Sequence, residues 1–254
     1  MKLGIVTYLI GEKWDVPTLI QKCKTTGMEG VELRTTHAHG VEVSLSAQER
    51  SEVKKAFADG GIEIAGLGSA FEYHHADSKV VRENIEGTKE YAQLAADLGC
   101  PGIKIRPNGL QTDAGVPEEK ILEQIGLAFR ECAQAAADLG VEVRMEVHGR
   151  ETMEPGRMRK IIDHADHQNA YICWNSNPGE VIGGSIDEAY GLLRHKIGLV
   201  HMRDLCDSAY PWRDLLKKLQ ADGYDGYTLA EIPGNPDGER ILLYYKALWE
   251  AYQS

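Results

Sequence analysis

No stretch of this chain approaches the roughly 20 apolar residues that a membrane-spanning helix needs. Nor does it contain a C-x-x-C pair. Its five cysteines, Cys23, Cys100, Cys132, Cys173 and Cys206, are widely scattered. Such spacing argues against a disulfide framework and fits reduced thiols in a cytoplasm. Positive charge is also scarce, with 28 Lys and Arg against 39 Asp and Glu for a net charge of -11. That balance argues against binding of a phosphate backbone as the main activity, although a local basic pocket remains compatible with it. The opening MKLGIVTYLIGEKWD carries Glu12, Lys13 and Asp15 where the apolar core of a secretory signal would continue. No linker, low-complexity tract or break in composition divides the sequence. The expectation is a cytoplasmic protein with neither nucleic acid nor membrane as partner; a homo-oligomer is left open.

What the chain does contain is one alternation from end to end. It is 254 residues long and 43% hydrophobic, enough to bury a full core. Short apolar or β-branched runs lie at Leu3–Leu9, Gly30–Thr36, Glu63–Ala70, Gly102–Asn108, Glu142–Gly149, Ala170–Asn177, Ile197–Asp204 and Tyr227–Gly234. Between them, segments such as KVVRENIEGTKEYAQLAADLG repeat apolar residues every three or four positions, the mark of a helix with one buried stripe. Ser46 with Glu49, and Ser185 with Glu188, have capping-box spacing. TTGMEG, ADGG, DLGCPG, DLGVE and ADGYDG each place a glycine where a helix should end. About eight strand-then-helix units in this length predict a single (β/α)₈ TIM barrel occupying 1–254. An open doubly wound sheet is the competing arrangement; even repeats without a nucleotide-binding glycine loop favour closure.

Strand side chains alternate, so one set of each strand faces the barrel interior. In EVRMEVHG, Arg144, Glu146 and His148 oppose Val143, Met145 and Val147. His201 and Arg203 oppose Val200 and Met202, and Leu229 and Glu231 oppose Ala230 and Ile232. Lys104 and Arg106 share a face on the fourth run, Glu32 and Arg34 on the second. The apolar set must pack on helices, so the charged set points inward, late in its strands, where barrel active sites are built. Buried charges must pair, bind metal or meet a charged ligand. Five strands doing this together point to a site. Glu146, His201 and Glu231 offer two carboxylates and an imidazole, a set that suits Mn²⁺, Mg²⁺, Co²⁺ or Zn²⁺ without choosing among them.

The succession MEVHG, CWNSNP, LVHMRD and LAEIPG, running in order through the chain, resembles the xylose-isomerase-like TIM-barrel superfamily of sugar (phosphate) isomerases and epimerases. The resemblance implies one divalent metal ion held by Glu146, His201 and Glu231, with His148 on the substrate side and Arg203 on substrate oxygens. The usual strand-six motif of that family reads Asp-x-x-His. Here Asn175 stands in the aspartate position and Pro178 in the histidine position. Asn175 is expected to ligate through its amide oxygen, because its parity with Cys173 points it inward.

The implied activity is metal-dependent isomerisation or epimerisation of a sugar or related hydroxy-carbonyl compound. Glu146 and Glu231 would pass protons through an enediolate, and His148 and Arg203 would stabilise the oxyanion. Arg34, His37, Lys104 and Arg106 are the further substrate-binding candidates. The same site could run β-elimination, as a dehydratase or lyase on a keto-sugar or keto-glycoside; a sugar-binding barrel without catalysis is the third reading. A nuclease would need a richer metal cluster than Asn175 and Pro178 allow. The HADH segment, with His164 and His167, falls at a helix end on the stability side of the barrel and reads as a solvated pair. His39, His74 and His75 sit in catalytic-side loops.

Overall fold

The computed structural model describes residues 1–111 and 115–254. Eight strands alternate with eight α-helices. The strands are β1 (Lys2–Val6), β2 (Gly30–Arg34), β3 (Glu63–Glu72), β4 (Gly102–Arg106), β5 (Glu142–Glu146), β6 (Ala170–Trp174), β7 (Ile197–Met202) and β8 (Tyr227–Ala230). The helices are α1 (Val16–Thr26), α2 (Ala47–Gly60), α3 (Ser78–Leu98), α4 (Glu118–Ala137), α5 (Pro155–Ala165), α6 (Asp187–Leu193), α7 (Trp212–Ala221) and α8 (Gly238–Gln253). All neighbouring strands run parallel, and β8 returns to pair with β1 through Lys2–Tyr227 to Ile5–Ala230, which closes the barrel. This is the (β/α)₈ barrel that the alternation predicts, and no open sheet edge remains among its strands.

Local chemistry explains the boundaries. Ser46 accepts from the Glu49 amide while Glu49 reaches back to Ser46, so α2 starts with the predicted capping box. Ser185 does not form the other one. It accepts from the Asp187 amide at 3.0 Å in a tight turn, and α6 begins after Ile186 instead. Gly27, Gly61, Gly99, Gly140 and Gly223 all have the positive φ that ends a helix in the left-handed region. Seven strands are shorter than the apolar runs suggest, while β3 runs on past Ala70 to Glu72. After Val6 the chain turns into a short helical segment at Thr7–Gly11, and β6 stops at Trp174, before the two asparagines. The runs stay apolar past those strand ends because the residues that follow remain buried, as Val147 and Ile232 are.

The core has two compartments. The larger lies between the barrel wall and the helices and takes the outward set: Val31, Ile103, Val143, Met145, Val200 and Ala230 among many. Inside the barrel a small apolar plug of Val6, Ala65, Cys173, Leu199, Tyr227 and Leu229 fills the middle. The alternation inferred from the sequence is therefore the observed one, and the charged side chains of the two cavities sit on the C-terminal side of that plug; Arg144 is the exception, its guanidinium pairing with Glu142 at 2.7 Å and donating to the Ala65 carbonyl at 2.9 Å.

Candidate active site

Nine side chains that a barrel would ordinarily exclude converge above the plug. Glu32, Lys104, Glu146, Asn175, Asn177, Glu180 and His201 are all buried, at 4% exposure or less; Glu231 and His148 are partly open to the pocket. Such burial is tolerable only with partners. Lys104 Nζ donates to Glu146 Oε2, a pair whose side chains are 5% and 4% exposed. His201 Nε2 lies 3.0 Å from Glu32 Oε2. Because a carboxylate only accepts, Nε2 carries the proton of that bond, and the lone pair of a neutral imidazole falls on Nδ1. That Nδ1 is buried and has no hydrogen-bond partner among the described residues. It faces Glu146 Oε1 at 3.7 Å and Glu231 Oε2 at 3.9 Å.

Room for this layer comes from residues without side chains. A Cβ on Gly68 would stand 2.6 Å from Glu32 Oε1 and 3.2 Å from Arg34 Cδ, so β3 must be bare where β2 sends its glutamate inward. Gly149, at φ +91°, would put a Cβ 2.1 Å from the Asn108 carbonyl oxygen. Its absence lets the β4 and β5 loops touch, and His148 Nδ1 donates to Asn108 Oδ1 at 2.9 Å. The ring is thereby fixed with Nε2 as its free nitrogen.

The electrostatics follow from these contacts. Burial raises the Glu146 carboxyl, but Lys104 and His201 together outweigh it and hold it well below the usual carboxylate range. Glu32 is likewise lowered, burial being overcome by the His201 charge and hydrogen bond. Burial pushes the His201 imidazole down, while the Cys173 sulfur and Glu32 lift it well above its ordinary value. The Cys173 thiol is itself pushed up to about 11 and is neutral near pH 7, so Glu32 is the charge that acts. Burial raises Glu231 and lowers His148. The two catalytic-candidate carboxylates are thus driven apart in acidity by their surroundings.

Two cavities share Tyr8, Glu146, His148 and Glu231 as a common wall. The inner one, about 110 Å³, adds Val6, Glu32, Arg34, Lys104 and Arg106. The outer one, about 440 Å³, adds Leu9, Asn175, Arg203, Asp204, Asp207, Ile232 and Pro233. The structure therefore gathers Glu146, Glu231, His148, Asn175, Arg203, Arg34, Lys104 and Arg106 around one connected space, with His201 directly beneath. Asn175 Oδ1 is buried and unpartnered there, although Asn175 follows the end of β6 instead of lying on it. His37 is set apart. Its Nδ1 shares a hydrogen bond with Thr7 Oγ1 at 2.9 Å and its ring stacks on Tyr8, so it backs the pocket wall.

Five residues belong to this arrangement that the sequence did not single out as site residues. Glu32 orients His201, and Asn108 orients His148. Beyond β6, Arg203 Nη2 donates to Asn177 Oδ1 at 3.0 Å, and Asn177 Nδ2 donates to the Val147 carbonyl at 2.6 Å and to Glu180 Oε1 at 3.2 Å. Tyr210 donates to Glu180 Oε2 at 2.6 Å and accepts from Trp174 Nε1 at 2.9 Å. Burial raises Glu180 to about 7. Inward parity signals Glu32 in the sequence; Glu180, behind Pro178 and Gly179, carries no such signal.

Among the described residues, two groups of three or more His, Cys, Asp or Glu could converge on a metal ion, each with donor atoms within 4.8 Å of one another. One is Glu146, His201 and Glu231. The other, Glu72, His74 and His75, lies beyond β3, where Glu72 is engaged by Arg106. His164 and His167 belong to neither.

A family model described as xylose isomerase-like TIM barrel matches residues 20–247. The chain belongs to that family. Its barrel superposes on 3-keto-D-glucoside 4-epimerase from E. coli, in apo form, with a TM-score of 0.81 at 17% identity, over 99% of each chain. D-psicose 3-epimerase from Clostridium cellulolyticum H10, solved with D-tagatose, gives 0.77 at 17% identity, over 99% of this chain and 96% of that one. The IOLI protein with a bound zinc atom gives 0.76 at 17% identity, over 99% and 96%. At such identities the likeness is one of fold. No curated protein matches the sequence. No helix among the described residues is long and apolar enough to cross a membrane.

Proposed function

We propose that this xylose isomerase-like barrel is a metal-dependent isomerase or epimerase of a sugar or related hydroxy-carbonyl compound. One observation carries the reading: carboxylates from β5 and from beyond β8 flank a buried, unpartnered imidazole nitrogen at 3.7 and 3.9 Å, at the floor of the shared cavity. The family and the sugar epimerases among its structural neighbours support it.

The residues fit a divalent ion. Unpartnered polar atoms are costly when buried, and among the described residues His201 Nδ1 and Asn175 Oδ1 are two of them in the same site. Glu146, His201, Glu231 and Asn175 would hold the ion, a mixed oxygen and nitrogen set open to Mn²⁺, Mg²⁺, Co²⁺ or Zn²⁺. When bound, such an ion supplies Lewis-acid polarisation of a carbonyl and its neighbouring hydroxyl. Glu32 fixes the His201 tautomer that this requires.

The chain's own groups do the proton work. Of Glu146 and Glu231, one takes the proton from the carbon between carbonyl and hydroxyl, and the other returns a proton to the enediolate from its own side. His148, with Nδ1 held by Asn108, presents Nε2 to the shared space, and with Arg203 it stabilises the developing oxyanion. Lys104 keeps Glu146 ionised and, with Arg34 and Arg106, lines the inner cavity for substrate oxygens; His37 supports the Tyr8 wall. The five free cysteines, four of them buried, suit a reducing cytoplasm.

A second reading is β-elimination on a keto-sugar or keto-glycoside. It is favoured by the outer cavity, whose Tyr8, Leu9, Ile232 and Pro233 wall leaves space beyond a reacting ring. Elemental analysis, followed by incubation with ketoses and keto-glycosides in D₂O, separates the readings. Deuterium incorporation with epimer formation establishes the first. Aglycone release or water loss establishes the second. Sugar binding without metal or turnover leaves only a binding barrel.

A further inference from the structure

The inner cavity contains a cation that no side chain among the described residues pairs with. Arg34 is half-buried, and its guanidinium forms no hydrogen bond or ion pair with the described residues. Its backbone, by contrast, is pinned on both sides. The Arg34 amide donates to Thr7 Oγ1 at 2.9 Å, and its carbonyl accepts from His39 Nε2 at 2.8 Å. The side chain then runs past the bare Gly68 into the cavity. Five donors in a rigid fork are thus delivered to one place and left unused. In a chain carrying a net charge of -11, an arginine that pairs with none of the three glutamates lining its cavity, Glu32, Glu146 and Glu231, is a conspicuous choice.

The neighbours do not answer it. Glu146 is engaged by Lys104, Glu32 by His201, and Arg106 by Glu72 on its Nη2. Arg106 Nε is buried and has no hydrogen-bond partner among the described residues. Two guanidinium groups therefore line a space of about 110 Å³ with donor capacity in reserve. The outer cavity differs, with Arg203, already held by Asn177, as its one lining arginine or lysine. Its rim carries Asp204 and Asp207, and its wall is Tyr8, Leu9, Ile232 and Pro233.

We propose that the inner cavity binds a small anionic group of the substrate, a carboxylate or a phosphate, on Arg34 and Arg106. The substrate would be an acidic sugar lying across Glu146, His148 and Glu231, anionic end on the β2–β4 side and neutral end among the loops beyond β1, β7 and β8. This rests on the sugar-converting reading above and deepens it. A planar carboxylate or a phosphate matches the Arg34 fork with two parallel hydrogen bonds. The repulsive half of the selectivity comes from Asp204 and Asp207, which oppose the reversed orientation.

Calorimetric titration of the metal-loaded protein with D-fructose, D-fructuronate and the terminal phosphate ester of D-fructose tests this. The expected result is a preference of about tenfold or more for one of the anionic ligands over D-fructose. Which of them wins identifies the group. Arg34→Met should collapse that preference towards unity, and Arg34→Lys should restore part of it, with circular dichroism and metal content confirming the fold and the ion site. Three outcomes overturn the proposal: equal or tighter binding of D-fructose, no binding of either anionic ligand, or a preference that survives Arg34→Met. A loss of kcat in Arg34→Met with unaltered ligand preference would also overturn it, assigning Arg34 to the charge that develops during reaction. Anion preference without metal or turnover would leave this inference standing and defeat the sugar-converting reading; turnover of neutral ketoses without preference would do the reverse.

Discussion

His201 and Glu32, 169 residues apart in the chain, share a hydrogen bond of 3.0 Å inside the barrel. That bond decides which ring nitrogen is left for the pocket. Glu32→Gln keeps the shape but can present an amide N–H in place of the acceptor, which frees the imidazole to change tautomer. Metal affinity is expected to fall about 10–100-fold, the range for losing a carboxylate behind a histidine ligand. Metal titration of the folded variant checks it; unchanged affinity would mean that Glu32 serves only the barrel's charge balance.

Glu146 and Glu231 should behave alike in activity and differently in stability. Each Gln variant removes both a ligand and a proton carrier, so turnover should drop by more than the roughly 10²–10⁴ of a single acid–base group. Glu146→Gln also strands the buried Lys104 ammonium, a loss of about 3–5 kcal/mol. Glu231 has no such ion-pair partner among the described residues and is raised by burial, so its variant should unfold close to the parent. Denaturant titration of the metal-free proteins measures the difference.

Metal content should separate the two histidines and report on Asn175. His201→Ala should lose the ion, whereas His148→Ala should retain it and turn over slowly. With Lys104 offsetting one of the three buried carboxylates Glu32, Glu146 and Glu231, a divalent ion beside neutral His201 leaves the cluster formally neutral. Asn175→Ala should weaken retention, and Asn175→Asp should strengthen it while quenching the ion's electrophilicity. An Asn175→Ala protein that holds metal as tightly as its parent would place that side chain outside the ligand set.

Glu180 gives the stability curve a feature near neutrality. Its folded value of about 7 lies above the ordinary 4.5, so the folded state binds the extra proton between those limits. Stability from this group is therefore complete below about pH 4.5 and is lost as pH rises through 7, by about 3 kcal/mol in total. Glu180→Gln cannot titrate. The difference in melting temperature between parent and variant should drift in the variant's favour from pH 5 to pH 8; parallel curves would show that Glu180 does not change charge there.

Much of this was legible because a strand's two-residue period is rigid. Glu146, His201 and Glu231 each fall on the inward parity of an unmistakable apolar run, and the barrel follows from eight such runs. Parity also exposed Glu32, yet its task depends on β2 and β7 facing each other across the barrel, which no local pattern encodes. Glu180 was hidden for a different reason. After Pro178 and Gly179 a glutamate reads as solvated loop, and only tertiary packing brings Tyr210 and Asn177 onto it. His37 lies one turn from Arg34 in sequence, but the loop carries it behind Tyr8. The ends of every strand but β3 were overextended because burial continues where ladder pairing stops.

The apolar plug beneath the charged layer has an electrical consequence. Val6, Ala65, Cys173, Leu199, Tyr227 and Leu229 exclude solvent from below, so the charges above them are screened only through the mouth of the barrel. Field lines from a low-dielectric floor crowd towards the opening. Salt in solution can therefore weaken the approach of a charged ligand far more than it weakens the grip on one already seated. The ionic strength of the assay should appear in association rates and leave residence times nearly untouched.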